Sequence, residues 1–185
     1  MKKIFVAGFL AMTAISQASI TVFLDSTAPS GTNTAFNYSI EQTIGDVLRT
    51  GDGFTLYDVH GFVSASAPVD FTYSVQNIGL NAMTPVGVVA PAVDSPGGPN
   101  VTFTLTGADT SVMSISGFQI VSTLSGSGGL LAFTGQNAKD RDLQLSNGSL
   151  GAVPGPGEVP EPGTWVMLAS GLGAVALGRL RRYVQ

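Results

Sequence analysis

The chain has 185 residues, 44% hydrophobic and 11% charged, with 24 Gly, 10 Pro and no Cys, which excludes a charged disordered polymer, a disulfide framework, a thiolate metal site and a cysteine nucleophile. Lys2, Lys3, Arg179, Arg181 and Arg182 carry five of the eight basic residues into the tails, so residues 19–162 hold Arg49, Lys139 and Arg141 against all twelve acids, a formal charge of −9. That middle argues against nucleic acid and anionic membrane surfaces as partners of the mature domain, because binding there relies on Lys and Arg to neutralise phosphates.

Residues 1–18 begin with Lys2 and Lys3, pass through an apolar run at 4–12 and close on Ser16-Gln17-Ala18. A basic start, a short apolar core and a small-x-small ending predict a signal helix that signal peptidase removes between Ala18 and Ser19. From Ile20 the apolar period is two. Phe36, Tyr38 and Ile40 alternate with Asn37, Ser39 and Glu41; Phe71, Tyr73 and Val75 alternate with Thr72, Ser74 and Gln76; Val101, Phe103 and Leu105 alternate with Thr102, Thr104 and Thr106. Each series predicts a strand with one buried and one wet face. Further strands are expected at 20–24, 54–59, 62–65, 86–90, 112–115, 118–124 and 130–133, with strand or loop at 44–49. Turn signals at 50–53, 95–100 and 125–129 separate them. Residues 19–145 are therefore expected to form one exported all-β domain, an antiparallel β-sandwich of jelly-roll or immunoglobulin-like type.

Residues 146–158 contain Gly148, Gly151, Gly155 and Gly157 with Pro154 and Pro156. This composition predicts an extended, mobile linker. Beyond it, the sixteen residues 163–178 carry no charge and as a helix span about 24 Å, a short single transmembrane helix between Trp165 and the arginines. The positive-inside rule puts Arg179, Arg181 and Arg182 in the cytoplasm, in agreement with an N-terminal signal that exports the preceding domain. Hydropathy alone leaves a permanent single-pass anchor and a removable segment as alternatives.

Val159-Pro160-Glu161-Pro162-Gly163-Thr164-Trp165, an apolar run containing Gly171-Leu172, and the terminal Arg179, Arg181, Arg182 cluster resemble the PEP-CTERM sorting signal of Gram-negative bacteria. The resemblance covers residues 159–185, with motif, helix and basic stop in the family's order. It implies recognition by an exosortase, a membrane enzyme using a cysteine, which cuts at or near Pro160 to Pro162, discards the helix and delivers the domain to the cell surface or extracellular matrix. Val159, Pro160, Glu161, Pro162, Trp165, Gly171, Leu172 and the three arginines are then recognition elements, not catalytic ones. Members of the family commonly accompany exopolysaccharide and biofilm production.

No catalytic constellation is legible in residues 19–145. His60 is the single imidazole; Asp58 and His60 fall on one strand face if 54–59 is extended, but there is no Gly-x-Ser-x-Gly elbow. Asp52, Asp140 and Asp142 sit in expected loops and are the calcium candidates, although Arg141 opposes a cation and no complete loop motif is present. No other metal or cofactor is expected. Glu41, Asp46, Asp58 and Asp70 offer carboxylate pairs whose separation in space decides their meaning. Tyr38, Tyr57 and Tyr73 suit sugar stacking or, better, core packing. The expectation is an exported, non-enzymatic surface protein whose partners are signal peptidase, an exosortase, the membrane before processing, and polysaccharide. The alternatives are a surface polysaccharide hydrolase or lyase and a permanently anchored single-pass protein.

Overall fold

The computed structural model of the chain describes residues 20–77, 98–139 and 142–157. These form ten strands: β1 (Ile20–Ser30), β2 (Asn33–Gln42), β3 (Asp46–Val47), β4 (Gly53–Leu56), β5 (Phe62–Ser66), β6 (Phe71–Gln76), β7 (Asn100–Leu105), β8 (Ser114–Ser122), β9 (Gly126–Lys139) and β10 (Asp142–Gly157). One sheet has the order β1-β2-β8-β5; the other runs β10-β9-β4-β7-β6, with β3 pairing β9. Every pairing between these strands is antiparallel. The all-β expectation therefore holds over the described residues, and no helix among them is long and apolar enough to cross a membrane. The expected signal helix, the strand at 86–90 and the transmembrane segment lie outside the described residues.

The core is built by the inward members of the period-two series. Phe36, Tyr38, Ile40, Phe118 and Ile120 from the first sheet meet Phe54, Leu56, Val101, Phe103, Leu131 and Phe133 from the second, all buried. At the centre, the Phe118 ring lies edge-on to Phe54, Phe71 and Phe103 at centroid distances of 5.0, 5.0 and 5.2 Å. Edge-to-face rings at such distances add electrostatic attraction to the apolar area they remove from water. One side chain from β8 thus ties three strands of the opposite sheet to its own.

The second sheet is less wet on its far side than simple alternation predicts. Thr55, Thr102 and Thr134 are buried there. Their hydroxyls are satisfied: Thr55 Oγ1 bonds Thr102 Oγ1 at 2.7 Å, and Thr134 Oγ1 bonds the Tyr57 hydroxyl at 2.9 Å. Pairing removes most of the cost of burying a hydroxyl.

The structure corrects the expected linker. Residues 146–157 are most of β10, paired along β9 from Ser146↔Ala138 to Gly157↔Gly126. The glycines read as linker punctuation are packing positions. A Cβ on Gly151 would come within 2.6 Å of the Phe133 ring, and one on Gly155 would run into Leu131, while Val153 between them is buried. Gly151, Val153 and Gly155 keep the period of two, with glycine wherever β9 supplies the bulk. Tyr38 closes this edge by donating its hydroxyl to the Pro154 carbonyl at 3.3 Å; burial raises its pKa far above the tyrosine range. The Ile20 N–H donates to Ser149 Oγ at 2.6 Å, tying β1 of one sheet to β10 of the other.

Other boundaries move for local reasons. β4 stops at Leu56, before the expected end at Val59, because Asp58 takes a left-handed φ of 54°. The strands expected at 112–115 and 118–124 fuse into β8 around Gly117, whose φ of 98° makes it the extra residue of a bulge between the Phe118–Tyr38 and Ser116–Ser39 pairs. Only a residue tolerant of positive φ serves there. The Gly-rich stretch 125–129, expected as a turn, begins β9 at Gly126.

Candidate functional site

Three connections gather at one end of the two sheets: the turn before β4, the link from β5 to β6, and the segment from β7 to β8. The first is locked by Asp52. Its carboxylate accepts from the Arg49 N–H and Nε at 3.0 Å, from Arg49 Nη2 at 3.1 Å and from Gln136 Nε2 at 2.8 Å. The Asp52 side chain is 3% exposed and that of Arg49 21%, and the hydrogen bond to Asp52 raises the Arg49 pKa. Thr50, at the tip, bonds across to the third connection, its N–H to Asp109 Oδ1 at 2.8 Å and its hydroxyl to the Gly107 carbonyl at 2.5 Å.

The second connection is pinned to the third by Asp70, which holds a left-handed φ of 70°. Its carbonyl accepts from the Thr106 and Gly107 N–H groups at 2.7 and 3.0 Å and from the Thr106 hydroxyl at 3.0 Å. Gly107 cannot be larger, because a Cβ there would lie 2.5 Å from the Asp70 Cβ. A non-glycine residue at positive φ persists where its surroundings over-determine it. The result is a rigidly presented, exposed Asp70 side chain whose carboxylate takes no hydrogen bond among the described residues.

The third connection is held from behind by buried Gln42, which donates from Nε2 to the Val112 carbonyl at 2.6 Å and from its N–H to the Met113 carbonyl at 2.9 Å. Between these supports lies an open groove of about 350 Å³. Leu105, Phe71 and Ile115 give it an apolar base continuous with the core; Asp70, Ser114 and Ser116 add a carboxylate and two hydroxyls. Val69, 88% exposed, and Val112, 56% exposed, stand at its rim. Such a surface offers apolar contact on one side and hydrogen bonds on the other.

Of the site candidates singled out in residues 19–145, Asp70 lines this groove and the other described ones fall elsewhere. Asp52, a calcium candidate in the sequence, takes hydrogen bonds from Arg49 and Gln136 on both oxygens, because the i to i+3 turn brings the guanidinium onto it. Asp140 lies outside the described residues, and Asp142 opens β10 opposite Lys139, its side chain also outside them. No group of three metal-binding side chains occurs among the described residues. Asp58 and His60 do not share a strand face; the backbone turns at Asp58, and His60 is an exposed turn residue whose carbonyl accepts from Ser122 Oγ at 2.8 Å. Of the four acids considered for a pair, Glu41 is exposed on β2, Asp46 is buried and accepts from Asn137 Nδ2 at 3.3 Å, Asp58 is half-buried, and Asp70 alone lines the groove. Tyr38 and Tyr57 are core residues, whereas Tyr73 is 41% exposed. The Asp70–Gly107 lock was not legible as a pair, since its members are 37 positions apart in sequence.

The sorting residues Val159, Pro160, Glu161, Pro162, Trp165, Gly171, Leu172, Arg179, Arg181 and Arg182 lie outside the described residues, as do Ala18 and Ser19. Their assignment comes from comparison: the family model of the PEP-CTERM protein-sorting motif matches residues 158–182. The chain carries a PEP-CTERM sorting motif. The match spans all ten of the C-terminal residues named above. An exosortase recognises this motif, and a PEP-CTERM chain is an exported protein sorted to the cell surface. No curated protein matches the chain well enough to serve as a relative of its β domain.

Proposed function

We propose that this protein is a non-enzymatic surface or matrix component, a β-sandwich delivered by an exosortase that cuts near Pro160 to Pro162 and discards the segment beyond. The observation that carries the reading is the sorting motif at 158–182. The facing sheets joined through Phe118 support the sandwich. Removing residues 159–185 is expected to leave the domain folded and to abolish surface delivery, read by cell fractionation and circular dichroism of the released protein. Unchanged surface delivery of the truncated chain sinks the sorting claim.

In the matrix, the groove beside Asp70 is the contact point, and its chemistry favours a neutral polysaccharide. A sugar ring presents an apolar C–H face to Phe71 and Ile115 and hydroxyl donors to the Asp70 carboxylate oxygens, which accept. A uronic-acid polymer meets repulsion from Asp70 and from the acid-rich domain. On a glycan panel the chain is expected to retain neutral polymers, with Asp70→Asn weakening binding by about tenfold, the loss of one charge-assisted hydrogen bond. Retention of uronic-acid polymers in preference to neutral ones contradicts this choice of ligand.

A further inference from the structure

β6 extends the second sheet past the reach of the core. Its inward row is Phe71, Tyr73 and Val75, yet only Phe71 is substantially covered: Tyr73 is 41% and Val75 40% exposed. All five residues from Thr72 to Gln76 are exposed, although the neighbouring β7 is buried at every position but one. Among the described residues β7 is the one hydrogen-bonded neighbour of β6. The strand has no charge, no proline and no bulge against β7, so it lacks the devices that keep a sheet edge from pairing with another chain. The facing sheet ends beside it at β5, which is also uncharged and exposes Val63. In a domain where acids far outnumber bases, this is an edge where two copies approach without like-charge repulsion.

We infer that β6 is a self-association edge, pairing antiparallel with β6 of a second copy of this chain about a two-fold axis at Ser74. The strand's own pattern selects that register. Residues opposite one another in an antiparallel pair point to the same face, so the inward row must meet the inward row, and the numbers of each pair must sum to an even value. A centre at Ser74 does this using only the five exposed residues. It sets Tyr73 against Val75, Thr72 against Gln76 and Ser74 against itself. The Tyr73–Val75 pair joins an aromatic to a β-branched side chain, a favourable cross-strand combination, and it covers the apolar row that the facing sheet leaves open. A centre at Tyr73 would instead use Phe71, whose ring is already packed on Phe118. The two Asp70 side chains stand eight positions apart in the chosen register, roughly 27 Å along the strands, so their charges do not oppose it.

The absence of cysteine makes the test clean. In the full-length chain, Ser74→Cys places two thiols opposite each other at a Cα separation of about 4.5–5.5 Å, inside disulfide range. Thr72→Cys places its thiols four positions apart, out of reach. Under mild oxidation, a covalent dimer from Ser74→Cys and none from Thr72→Cys is expected. Ser74→Lys, which adds a charge at the two-fold axis without touching the core, is expected to turn the native chain's concentration-dependent dimer into a monomer by sedimentation, with unaltered circular dichroism. Equal cross-linking of the two cysteine variants, or a native chain that sediments as a monomer at every concentration, overturns the inference.

Discussion

Phe118→Ala is expected to lower the unfolding free energy by about 3–5 kcal/mol, the largest effect of any single truncation in the domain. The ring is fully buried and meets three others at 5.0–5.2 Å. Its loss removes the apolar transfer term, the ring–ring attraction and the filling of a cavity bounded by two sheets that cannot close on each other, because each is held by its own ladder. Phe54 and Phe103, stacked at 5.1 Å, would keep each other company, but Phe71 on β6 would lose its partner in the opposite sheet. Phe118→Leu retains most of the volume and is expected to cost about 1–2 kcal/mol. Urea unfolding followed by circular dichroism measures both. Equal stability of the alanine variant and the native chain would show that the sheets are held together elsewhere.

Asp52→Ala is expected to destabilise by about 2–4 kcal/mol, unusually large for a turn residue. The carboxylate is nearly inaccessible and takes bonds from the Arg49 backbone, the Arg49 side chain and Gln136. Alanine leaves those donors facing a void, and the Arg49 guanidinium has lost its counter-charge. Asp52→Asn keeps one acceptor oxygen and is expected to cost less than half as much. Because the 49–52 turn holds the 106–110 segment through Thr50, the alanine variant should also loosen the groove, seen as faster amide exchange at Thr106 and Gly107. Unchanged stability in Asp52→Ala would mean that Arg49 and Gln136 find water as good a partner.

The period-two rows were readable in the sequence wherever large apolar residues carried them. Phe36, Tyr38 and Ile40, or Val101, Phe103 and Leu105, announce both a strand and its buried face, and the structure places all six in the core. Where the row is written in glycine the signal disappears from hydropathy. In β10 the inward positions Gly151 and Gly155 are empty so that Phe133 and Leu131 can fill them, and what packs there is stated by a different strand. Burial of Thr55, Thr102 and Thr134 was hidden for a similar reason: a hydroxyl reads as wet until its partner across the ladder is known. The groove depends on two long-range coincidences, Asp70 with Gly107 and Gln42 with Val112, and composition speaks of neither. The alternation over 71–76 correctly predicted β6 but placed Tyr73 and Val75 in a core that stops one residue short of them.

The sorting segment was legible for the opposite reason. An exosortase must recognise a contiguous stretch of chain, so Pro160, Glu161, Pro162, the apolar run and the arginines carry their meaning in linear order, and the comparison finds the motif at residues 158–182. Mass spectrometry of the protein recovered from the cell surface is the most direct measurement of the account as a whole. It should find a mature chain that starts near Ser19 and ends at or near Pro160 to Pro162; a surface form that keeps Trp165 through Gln185 would contradict removal of the segment and leave a permanent anchor in its place.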